Sequence, residues 1–164
     1  MSKTIFKETQ KFREVWIWLI MLLSATLITW LFVQSATSPN TSAWDGIIAL
    51  IVLVAVTVLL YVMELEVRLD DKKLSFSYFP FIGVRTYPLE QIESLTLIRY
   101  NSLLKFGGWG IRYNFHYWVY NTGGNHGILV KTSKKTFLLG TQQPEAAAMA
   151  VEWFNQHKLN HHAN

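Results

Sequence analysis

The sequence predicts an α+β membrane protein: a two-helix transmembrane hairpin, then a small antiparallel β domain capped by a C-terminal helix. Three observations carry that expectation. Two long uncharged apolar runs precede Glu64, the texture then changes to apolar–polar alternation, and from Pro144 onward the apolar residues recur at helical spacing. Composition agrees. The 164 residues are 51% hydrophobic and only 16% charged, against about 25% charged in soluble domains.

The first run, Val15 to Val33, contains no charged residue. As a helix it would be roughly 28 Å long, close to the thickness of a bilayer's hydrocarbon. Trp16 and Trp18 sit near one end and Trp30 near the other, the depths that indole rings favour. The second run, Ile47 to Met63, is nearly all Leu, Ile and Val, with Trp44 before it and Tyr61 near its far end. Two buried core helices are the competing explanation, but helices apolar all round and this long belong to lipid. A cleaved signal peptide competes for the first run alone. Its basic start suits one, but the apolar stretch exceeds the roughly 7–15 residues of a signal core.

The connection 34–46 is polar, turn-rich and free of Lys and Arg, whereas Lys3, Lys7, Lys11 and Arg13 precede the first run and Arg68, Lys72 and Lys73 follow the second. That bias places both termini in the cytoplasm and the connection outside. Asn40-Thr41-Ser42 matches a glycosylation tripeptide too common by chance to use. The chain therefore divides into a cytoplasmic N-terminal segment (1–14), a hairpin (15–63, spans 15–33 and 47–63), a β domain with its helix (64–158) and a tail (159–164).

Within the domain, Leu65, Val67 and Leu69 alternate with Glu64, Glu66 and Arg68. Asp70-Asp-Lys-Lys73 is a polar turn, and Leu74 to Tyr78 alternates again, giving a hairpin. Further strands are expected over 84–87, 92–100, an aromatic run 113–120, 127–132 and 136–139, about seven in all. Pro144 and Glu145 suit the first turn of a helix whose stripe is Ala147, Ala150, Val151 and Phe154.

Leu65-Glu-Val-Arg-Leu-Asp70 with Leu74-Ser-Phe76, then Tyr87-Pro-Leu-Glu-Gln-Ile92, Gly107-Gly-Trp-Gly-Ile-Arg112 and Lys134-Lys-Thr-Phe-Leu-Leu-Gly-Thr141 follow one another in a familiar order. Over roughly residues 60 to 158 the chain resembles bacterial two-span membrane proteins carrying a pleckstrin-homology-like (PH-like) domain. The resemblance implies a seven-strand, two-sheet PH-like β-barrel capped by a C-terminal helix. It also implies multi-pass placement in the bacterial inner membrane and a binding or assembly role without catalysis. Eukaryotic relatives often bind phosphoinositides through basic residues in the first hairpin turn. Here Asp70 and Asp71 offset Lys72 and Lys73, and no functional residue is carried over.

The absence of cysteine excludes disulfides, thiolate metal sites and thiol catalysis. The net charge of +4 is not gathered into a Lys/Arg stripe, so nucleic acid is not an expected partner. No cofactor, metal or catalytic residue is expected. Most of the domain's acids fall in turns, on polar strand faces or near helix ends, and no nucleophile elbow, zinc motif or phosphate loop occurs. His157, His161 and His162 could share a metal, or fray in solvent. The candidate contacts for lipid or a partner are Lys105, Trp109 and Arg112 around the glycine-rich segment, and Lys131, Lys134 and Lys135 at a hairpin tip. Trp109 either presents itself to a partner or folds over the barrel end as core. The lysine tip either meets anionic lipid or is a solvated turn. The expected partners are membrane lipid and a protein or a second copy of the chain. The function expected is that of a membrane-anchored binding module. The alternative is an accessory or sensor subunit of a larger complex, recognised through its transmembrane helices.

Overall fold

A computed structural model describes residues 3–12, 14–36, 43–102 and 108–162. The chain forms two units: Arg13–Val62 is one, and Met1–Phe12 with Met63–Asn164 the other. The helical hairpin is thus an insertion within the β unit, not a segment preceding it.

In the helical unit, α1 spans Val15–Ala36 and α2 spans Ala43–Val62. The stretch Val15–Gln34 is long and apolar enough to cross a membrane, with mean hydropathy 2.1 and none of its apolar window buried. The apolar part of α2, Gly46–Val62, is shorter. Asp45 bounds it at one end, and Met63, counted in the second span by sequence, lies outside the helix and is buried in the β unit. Hydroxyl groups along both helices donate to carbonyls of their own helix: Ser24 to Ile20 (2.8 Å), Thr29 to Ala25 (2.8 Å) and Thr57 to Leu53 (2.7 Å). Such internal satisfaction is what an apolar solvent requires of a hydroxyl. Gly46 leaves room for the Phe32 ring where the helices pack.

The β unit holds nine strands among the described residues: β1 (Thr4–Lys11), β2 (Glu64–Asp70), β3 (Lys73–Phe79), β4 (Ile82–Pro88), β5 (Ile92–Arg99), β6 (Gly110–Tyr113), β7 (Trp118–Asn121), β8 (His126–Thr132) and β9 (Thr136–Thr141). They form a four-stranded sheet, β1-β2-β3-β4, and a five-stranded sheet, β5-β8-β9-β7-β6. The two sheets that the resemblance implies are present, but with nine strands rather than seven and with no closed barrel among the described residues. All pairings are antiparallel except β7 with β9, which is parallel. The sheets share one core, in which Phe76 meets Phe137 (ring centroids 5.3 Å) and Tyr120 (5.0 Å). The helix α3 (Pro144–His162) packs on β5 and β8. Its predicted stripe, Ala147, Ala150, Val151 and Phe154, is buried.

Two local readings change. The N-terminal segment is strand β1, paired with β2 in register Lys11↔Glu64. Its inward positions are Phe6, Glu8, Gln10 and Phe12, all buried. Glu8 accepts hydrogen bonds from Thr141 Oγ1 (2.6 Å) and the Gln142 amide (2.8 Å), and Gln10 Nε2 donates to the Gly140 carbonyl (2.6 Å). Polar inward side chains interrupt the alternation that would have announced a strand.

The aromatic run 113–120 is not one strand but β6, a turn and β7. Asn114 Oδ1 accepts the amides of His116 (3.2 Å) and Tyr117 (2.9 Å), and Phe115 takes a positive φ of 67°. That side-chain turn reverses the chain where alternation alone reads it as straight.

The first hairpin turn is also organised by Asp70, which accepts from Arg68 Nε (2.9 Å). Burial acts to raise the Asp70 carboxyl. Hydrogen bonds from Arg68 and Thr4, with the charges of Arg68 and Lys73, outweigh it and hold the group below its ordinary value.

Candidate functional site

Both chain junctions, Phe12 and Met63, lie at one end of the β unit, because β1 ends at Lys11 opposite Glu64. The glycine-rich segment comes to the same end. Trp109 lies edge-on to Phe12, with ring centroids 6.3 Å apart and planes at 86°. Gly108 (φ 127°) and Gly110 (φ 110°) on either side adopt conformations that side chains disfavour, which lets the chain turn into β6 around the indole. Arg112 Nε donates to the Trp109 carbonyl (3.3 Å). Trp109 and Arg112 are thus neighbours, and the indole is half-buried on Phe12, between the two alternatives the sequence left open. Lys105 lies outside the described residues.

A buried polar knot ties this end together. The Asn121 side chain accepts the Gly110 amide (2.9 Å) and donates to the hydroxyls of Tyr100 (3.3 Å) and Ser102 (3.3 Å). Tyr78 donates to the Asn121 carbonyl (3.1 Å), tying the two sheets together. Desolvation raises the phenols of Tyr78 and Tyr100 above their ordinary value. Beside the knot is an open cleft of about 490 Å³, lined among the described residues by Arg99, Tyr100, Asn101, Ser102, Trp109, Gly124 and Asn125. One guanidinium, one indole and several amides suit an anionic or hydrogen-bonding group. None is a nucleophile held by a base. Neither Arg99 nor the amides Asn101 and Asn125 was singled out by sequence; the glycines around Trp109 were the only signal.

The lysine tip is elsewhere. The Thr141 end of β9 lies beside β1, since Gln142 Nε2 donates to the Lys11 carbonyl (3.3 Å). The Ser133–Lys135 turn is at the other end of that hairpin, roughly 20 Å away at about 3.3 Å per residue, where the Ser133 amide donates to Gln91 (3.3 Å). Lys131 pairs with Glu93 (3.1 Å), and Lys135 lies over the Tyr87 ring (5.0 Å). The structure therefore separates Trp109 and Arg112 from Lys131, Lys134 and Lys135.

Trp16 and Trp18 occupy the first turn of α1 and Trp30 lies toward its end, while Trp44 and Tyr61 lie in the first and last turns of α2. Among the described residues, no group of three or more His, Cys, Asp or Glu could hold a metal ion. His157 stacks on Trp153 with centroids 5.0 Å apart. Comparison with family models, with curated proteins and with solved structures finds no match to this chain.

Proposed function

We propose that this chain is a non-catalytic binding module, held at the cytoplasmic face of the inner membrane by a helical hairpin inserted between two adjacent strands. The observation that carries this reading is the register Lys11↔Glu64. A chain that leaves the sheet at one strand and re-enters at its hydrogen-bonded neighbour must come back to where it started. If α1 crosses the bilayer, α2 has to cross back. Its 17 apolar residues reach about 26 Å, within the usual range for a span. The lysines and arginines flanking the hairpin favour the cytoplasm for the β unit and both termini. The resemblance to PH-like modules supports a binding role. The end bearing Trp109, Arg112 and the Arg99 cleft is the surface through which a protein partner, a second copy or the adjacent lipid would be recognised.

The chain has no cysteine, so single cysteines report topology cleanly. In intact cells a membrane-impermeant maleimide should label Ser42→Cys, and should label Lys134→Cys only after permeabilisation. Labelling of Lys134→Cys in intact cells, or of Ser42→Cys only after permeabilisation, overturns the placement.

A further inference from the structure

We infer that the turn between β3 and β4, Phe79-Pro80-Phe81, is a second membrane attachment that seats two phenyl rings at the acyl–headgroup boundary. The inference rests on the proposal that α1 and α2 span the bilayer. The turn lies at the end of the sheet that carries the chain junctions, because Phe79 is the cross-strand partner of Glu64. Met63 alone separates Glu64 from Val62, the last residue of α2. Two Cα steps and one strand pairing keep Phe79 within roughly 13 Å of that helix end, whatever angle the two units adopt.

The chemistry of the turn fits lipid better than water. From Tyr78 to Val84 there is no charged residue, and the tip consists of two phenylalanines flanking a proline. Phe79 is 59% exposed and Phe81 56%. Val84, further along the edge strand, is exposed as well, and the next residue, Arg85, supplies a cation of the kind that meets phosphate headgroups. Exposed apolar clusters with a basic border are how soluble surfaces enter an interface. The turn is also firmly based. Tyr78 is fully buried with its hydroxyl on the Asn121 carbonyl, and its ring centroid lies 6.5 Å from that of Phe81. A second attachment would restrict how the β unit tilts over the membrane and so limit which way the Trp109 cleft faces.

The test uses the full chain in vesicles of phosphatidylethanolamine and phosphatidylglycerol, with a nitroxide on one introduced cysteine at a time. Phe79→Cys and Phe81→Cys are the probes, Lys134→Cys the aqueous reference and Leu23→Cys, in mid-α1, the acyl reference. The ratio of oxygen to nickel-chelate accessibility should rise several-fold at both probes relative to Lys134→Cys, toward the value at Leu23→Cys. Probes as aqueous as Lys134→Cys, with Leu23→Cys in the acyl region, overturn the attachment and leave the spans standing. A Leu23→Cys label that reads as aqueous overturns both. Loss of access to both reagents, with spin–spin broadening at position 81, shows a second copy covering the turn and refutes the lipid assignment.

Discussion

Truncating Gln10 to alanine probes whether the segment before the helices belongs to the β unit. Gln10 is 0% exposed, donates to the Gly140 carbonyl at 2.6 Å and accepts from the Thr122 hydroxyl at 3.3 Å. Alanine deprives the Gly140 carbonyl of that bond, and a buried polar group left in this way costs about 1–3 kcal/mol. Thr122 also loses the acceptor for its hydroxyl proton, since Gln142 Nε2 donates to that hydroxyl (3.4 Å) and cannot take the proton's place. The cavity left by the missing side chain adds to the loss, and the total comes to about 2–4 kcal/mol. For a domain of this size that is a fall of roughly 10–20 °C in the melting temperature. The control is Thr9→Ala on the outward face of the same strand, expected within about 0.5 kcal/mol of the parent. The assay is thermal unfolding of the full chain in detergent micelles, followed by near-ultraviolet circular dichroism. Equal melting temperatures for Gln10→Ala and Thr9→Ala would refute the docking of β1 against the second sheet.

Excision of the helices is a second test. Because Lys11 and Glu64 are partners, replacing residues 13–62 with Asn-Gly should close β1 and β2 into a hairpin and yield a soluble folded domain. The fragment Glu64–Asn164 lacks β1, leaves the edge of β2 open and should aggregate; size-exclusion chromatography and amide NMR dispersion separate the two outcomes. Alkaline pH is a third. Desolvation raises the phenols of Tyr78, Tyr100 and Tyr120, so their contribution is complete below pH about 10 and is lost as pH rises beyond it, with a slope of up to about 1.4 kcal/mol per pH unit for each group. Tyr78→Phe should flatten that decline when denaturant midpoints are compared between pH 8 and 11. An unchanged slope would show that Tyr78 is not buried.

The elements legible in the sequence are those in which water alone sorts the side chains. The uncharged runs became α1 and α2, the Leu65–Leu69 and Leu74–Tyr78 alternations became β2 and β3, and Ala147, Ala150, Val151 and Phe154 became the buried stripe of α3. In each case the apolar residues recur at the period of the element, and burying them is the dominant favourable term. At the candidate site the glycines around Trp109 were readable, since only glycine is comfortable at the positive φ found there.

Tertiary structure decided the rest. Glu8 and Gln10 point inward on β1 because Thr141, Gln142 and Gly140, more than a hundred residues away in sequence, supply their hydrogen bonds. No local pattern can announce a strand whose inward polar groups are satisfied from the far end of the chain. The same holds for the ends of the domain. Sequence put Trp109, Arg112 and the lysines of the β8–β9 hairpin on one footing, and only the register of the sheets moved the lysines to the end away from the chain junctions. Hydropathy determined what this protein buries; strand pairing, a matter of long-range hydrogen bonds, determined which side chains share an end.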